Sequence, residues 1–138
     1  MAITATSYLS VETHSPLLMA PFGATSVLIF GVPDSPLAQP RNVIGGNVLG
    51  ALISLIVLQC LGSSSWAIGI AVSGAIAIMQ VTRTLHPPAG AIALVVMMTK
   101  PDWTFLLAPA FEGSMIMVLC AVIFNNLAAE RTYPNHWL

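Results

Sequence analysis

The chain has 138 residues, 57% of them hydrophobic and only 7% charged, with a formal net charge of −1 and a mean hydropathy of +0.88. Four Lys/Arg and five Asp/Glu side chains cannot cover a soluble globule of this size. The apolar content excludes intrinsic disorder, and so few scattered cations exclude a nucleic-acid face, which leaves a polytopic all-α membrane bundle.

In chain order, Ala2 to Val11 is apolar but too short to span, and reads as the end of a longer helix or a short helix dipping into the bilayer. No basic region opens the chain and no Arg- and Ser-rich transit segment precedes the apolar stretches, so no cleavable leader is expected. Pro16 to Phe30 is a short apolar segment whose helical part opens at Pro21-Phe22-Gly23-Ala24. Asn42 to Gly62 is an uninterrupted run long enough to cross a core of roughly 30 Å, with Asn42 its expected N-cap. Ser63-Ser64-Ser65 ends it, and Trp66 opens a second long run to Val81. Leu85 to Met98 is short again and opens at Pro87-Pro88-Ala89-Gly90-Ala91. Thr104 to Ala129 is the third long run, closed by Glu130-Arg131.

Proline suits the first turn of a helix and breaks its interior, so the short helices should start at their prolines. Helices over 21–31 and 88–98 then cover about half a bilayer each; the alternative is a full span with a proline kink. Cys60 and Cys120 lie inside apolar runs without metal spacing, and read as small hydrophobes.

The two short segments align at an offset of 67 residues, Pro21-Phe22-Gly23-Ala24 over Pro88-Ala89-Gly90-Ala91, and the same offset sets Gly46-Asn47 over Gly113-Ser114. A Pro-Asp pair recurs in each connecting loop, at Pro33-Asp34 and Pro101-Asp102. The expectation is a single domain over 1–138 with two pseudo-repeats, about 1–62 and about 66–130, each holding one short Pro/Gly-started helix. Units that cross an odd number of times are inverted relative to one another. Arg41, Arg83 and Arg131 then share one side and Lys100 takes the other, which makes the arginine side cytoplasmic.

Inversion would bring the starts of the short helices together near the bilayer midplane. Helix starts carry amides without intrahelical partners and about half a positive charge, so Gly23, Ala24, Thr25, Gly90 and Ala91 are candidates to hold a small anion, or a polar solute that accepts hydrogen bonds. Arg41, Arg83 and His86 can attract the anion, although Arg83 can instead snorkel to phosphates and His86 can cap carbonyls. Asn47 is a candidate for a cavity hydrogen bond or an interhelical one. Glu112, an acid inside a span, is the candidate for proton coupling, for neutralising Arg83 or Arg41, or for an interfacial place. Two faces of small residues, Gly46/Gly50/Ser54 and Gly69/Ser73/Ala77, suit close packing within the chain, and Asn125-Asn126 can serve either packing or a site. No enzyme motif occurs, and His14, His86 and His136 lack metal or haem spacing, so neither catalysis nor a cofactor or metal is expected.

The stretches Ser35-Pro36-Leu37-Ala38-Gln39-Pro40-Arg41-Asn42-Val43-Ile44-Gly45-Gly46 and Thr82-Arg83-Thr84-Leu85-His86-Pro87-Pro88-Ala89-Gly90-Ala91 resemble the HPP family of integral membrane proteins. Asn125-Asn126-Leu127 and Tyr133-Pro134 are similar to it as well, so the resemblance runs from Pro16 onward. It implies a transporter of nitrite across cyanobacterial and chloroplast membranes. Family members usually carry a fuller apolar helix before the match, which implies a shortened version here with altered activity. The expectation is therefore a multi-pass protein of a bacterial inner (plasma) membrane that passes nitrite or another small monovalent anion and forms a homo-oligomer. A neutral-solute channel and a non-transporting membrane scaffold subunit are the alternatives.

Overall fold

The structure, a computed structural model, describes residues 1–12, 17–128 and 131–136; the expectations for His14 and Glu130 fall outside them. The described residues form helices without strands: α1 (Ala2–Glu12), α2 (Pro21–Gly31), α3 (Pro40–Leu61), α4 (Ser65–Val81), α5 (Pro87–Thr99) and α6 (Trp103–Leu127). Proline opens α2, α3 and α5, where its missing amide would have had no helical partner. Helix α3 begins two residues before Asn42, so Asn42 lies in its first turn and is not the cap; Gln39 holds that position.

Helix ends follow backbone handedness. Gly62, at φ 71°, stops α3. Arg83, at φ 56°, takes the left-handed place after α4, with its amide on Gln80 O and that of Thr84 on Met79 O. This is the hydrogen-bond pattern that glycine ordinarily closes. Lys100, at φ 50°, ends α5 in the same conformation.

Helices α3 and α6 are long and apolar enough to cross a membrane, while α4 has 17 residues, or about 25 Å. Helices α2 and α5 are shorter, about 16 and about 20 Å, so α2 has about half the length of a roughly 30 Å core as expected, while α5 reaches about two thirds of it. The third long run is not one regular helix as expected. Its backbone leaves helical geometry at Ala108 (φ −123°, ψ 116°), ahead of Pro109, which has no amide to donate and whose ring crowds the preceding residue.

Helix α3 is central, against α4 and α5 on one side and α6 on another, while α6 also meets α1 and α2. The Gly46/Gly50/Ser54 face is a true contact face: a Cβ on Gly50 would lie 2.8 Å from Ala89 O. The Gly69/Ser73/Ala77 face is not. Those residues are exposed, and α4 buries Ala67, Ala71 and Ala75 instead. Small residues line both faces of α4, so spacing alone could not choose between them. Phe22, Ile29, Val43, Ile92, Val96 and Met117 form part of the main core, joining α2, α3, α5 and α6. Both cysteines are free.

Candidate functional site

The starts of α2 and α5 lie side by side. The Thr25 hydroxyl and His86 Nε2 are 3.0 Å apart, and His86 Nδ1 is 2.9 Å from Leu37 O. A carbonyl can only accept, so Nδ1–H donates to Leu37 and Nε2 of the neutral ring accepts from Thr25. His86 is wholly buried and joins three segments through its ring, a fixed tie rather than an open donor. Ala24 and Ala91 line one groove of about 440 Å³ with Val27, Leu28, Pro87 and Pro88. Gly23 and Gly90 do not face one another. Gly23 opens on a cleft with Leu18, Met19 and Ala20, and Gly90 on another with Leu85, His86 and Pro87.

Bare amides at these starts, expected from the sequence, are few. Pro21, Pro87 and Pro88 have none, and those of Phe22, Gly23 and Ala89 bond to Met19 O, Ala20 O and His86 O. The starts therefore offer a positive field more than free donors.

Cationic side chains gather elsewhere, at the start of α3. Arg41 donates from Nη2 to Thr82 O at 2.8 Å, and Asn42 from Nδ2 to Leu85 O at 2.8 Å, which stitches α3 to the 82–85 turn. Arg41, Asn42, Arg83 and His136 share a polar cavity of about 180 Å³ with Pro36 and Gln39. His136 arrives on residues 131–136, which bond to the loop that leads into α3. Gln39 Nε2 donates to Pro33 O at 2.9 Å and Ser35 O at 3.0 Å, while its Oε1 accepts from the amides of Asn135 at 3.0 Å and His136 at 3.4 Å. The Tyr133 hydroxyl donates to Ala38 O at 2.8 Å, and burial raises this phenol's pKa, so it keeps the proton that it donates. Gln39 and Asn135 carry no pattern of their own; only the folded chain brings them together.

Asn47 is an interhelical tie: its Nδ2 donates to Ser114 Oγ at 2.8 Å, and Ser114 Oγ donates to Ala110 O at 2.6 Å. Asn125 ties α6 to α2 through Ile29 O at 2.9 Å. The Oδ1 atoms of Asn47 and Asn125 and the Ser26 hydroxyl are buried without a partner among the described residues. Glu112 is exposed where the regular part of α6 begins, and no ion pair joins it to Arg41 or Arg83 among the described residues.

A family model described as the HPP transmembrane region matches residues 1–134. Two proteins of Dictyostelium discoideum, each named only as a transmembrane protein, are 40% identical over 136 residues, 93% of this chain. The chain spans about half of their length, 48% of one and 44% of the other. No solved structure matches the chain significantly.

Proposed function

The chain belongs to the HPP transmembrane family and is a membrane protein, and on that premise we propose that it passes a small inorganic anion, nitrite in the first place, across the bilayer. The observation that carries this reading is the meeting of two short helices near their starts, held by the Thr25–His86 bond. Each start places about half a positive charge in a region of low dielectric, where a passing anion gains most from it. Arg41 and Arg83 supply the attraction that brings the anion to the protein, and Glu112 is the residue for proton coupling.

Two pseudo-repeats belong to the same proposal. Several contacts relate residues 67 positions apart. Asn47 bonds to Ser114, and Ala24 and Ala91 share one groove. A Cβ on Gly46 would lie 2.8 Å from Thr84 O, and one on Gly113 would lie 2.7 Å from Leu17 O, the same contact shifted by 67 at both ends. These coincidences support a two-fold pseudo-axis between α3 and α6, as inverted repeats would have. The expected setting, a bacterial plasma membrane, goes with the proposal, although the relatives named above come from a eukaryote.

Proteoliposomes holding the protein should take up nitrite faster than empty ones, Arg83→Ala should slow uptake, and an imposed pH gradient should alter it through Glu112. Equal uptake with and without protein would remove the transport reading. Swelling with uncharged solutes would select the neutral-solute channel instead. The apolar lining of the α2–α5 groove favours a second reading, a scaffold that seats a partner helix, and a folded protein without flux would select it.

A further inference from the structure

We propose that Arg41, Arg83 and His136 form a binding site for an oxyanion at the start of α3, with the segment 131–136 bringing His136 to it. The cavity of about 180 Å³ has two guanidinium groups and an imidazole among its lining residues and, among the described residues, no carboxylate. Asp34, in the loop that leads into α3, does not line the cavity and accepts from Asn135 Nδ2 at 3.1 Å. Arg41 uses Nη2 on Thr82 O and keeps other donors for a ligand. The Arg83 side chain has no hydrogen-bond partner among the described residues.

The backbone gives an independent reason to single out Arg83. It stands at φ 56°, where glycine fits without strain and a side chain does not. Strained backbone of this kind clusters at ligand clamps and active sites, and here it coincides with a cation that lines a polar cavity. Lys100 has the same backbone conformation but lines no part of this cavity, so it separates the two effects. His136 is placed by the main-chain bonds to Gln39, which is itself buried and fixed to Pro33 and Ser35.

Guanidinium groups present parallel N–H donors that match two oxygens of one anion, so the ligand is a small oxyanion such as nitrite or phosphate, or the phosphate of a lipid headgroup. This deepens the transport reading, which already gives Arg41 and Arg83 the attraction of the anion, but binding and uptake are measured separately. Oxyanion binding without uptake into proteoliposomes would leave this site in place and remove the transport reading.

The test is calorimetric titration of the purified protein with sodium nitrite and with inorganic phosphate, in maltoside micelles free of phospholipid and at constant ionic strength. A second arm measures retention of phosphatidylglycerol by mass spectrometry. Saturable binding in the first arm assigns a free anion, and retention in the second assigns a headgroup. In either case Arg83→Gly should weaken binding by about tenfold or more. The melting temperature should stay the same or rise, since glycine relieves the strained backbone. Arg41→Ala and His136→Ala should weaken binding less, and Lys100→Ala should leave it unchanged. Absence of binding in both arms, or wild-type affinity in a folded Arg83→Gly protein, would overturn the proposal.

Discussion

The corner where α3 meets the 82–86 turn and the corner where α6 meets Leu17 to Phe22 make the same close approach by different chemistry. At each, a glycine lies so near a carbonyl that a Cβ would fall within 2.8 Å of it, Gly46 on Thr84 and Gly113 on Leu17. Around Gly46 the contacts are polar: Arg41 and Asn42 bond the turn, and His86 reaches Thr25 and Leu37. Around Gly113 they are apolar, with the Phe22 ring against the glycine and buried Met19 standing 67 residues before His86. Ala108 and Pro109 stand 67 residues after Arg41 and Asn42, and there α6 bends where α3 runs straight. Backbone packing thus needs only the glycine, and the polar groups of one corner remain to be explained by binding or by orientation.

The largest expected effect tests the shared part of the two corners. Gly46→Val and Gly113→Val should each destabilise by about 3 kcal/mol, read from thermal unfolding in detergent, because the clashing atoms include main chain. If only one is damaging, the corners are not equivalent. The next effect tests the difference. His86→Met puts at one corner the residue type found at the other and strips Thr25 and Leu37 of their partner, so it should cost about 2 kcal/mol, and Thr25→Val about 1 kcal/mol. A neutral His86→Met would make that polarity dispensable for folding. The smallest effect lies between the corners: a double-mutant cycle of Asn47→Ala and Ser114→Ala should give a coupling of about 0.6 kcal/mol.

Proline and glycine made the short helices legible. The starts of α2 and α5 fall at Pro21 and Pro87 because that residue type is tolerated there and penalised further on. The same rule, applied to Pro109, would have found the bend in α6; the continuous hydropathy of the run hid it. Arg41 and Arg83 were legible as cations, but their common cavity was not. It depends on a turn closed 41 residues away, through Arg41 and Thr82, and on a tail bonded 96 residues away, through Gln39 and Asn135. Local periodicity carries no information at such separations. His86 was legible as unusual, yet its burial between three segments follows from tertiary packing alone.

Gln39 fastens the stretch ending at His136 to the loop that leads into α3. A fluorophore attached at residue 136 would therefore report from the cavity that Arg41 also lines. Quenching by an impermeant reagent on one face of a sealed vesicle would then reveal which way the molecule points, without any assumption about its charges.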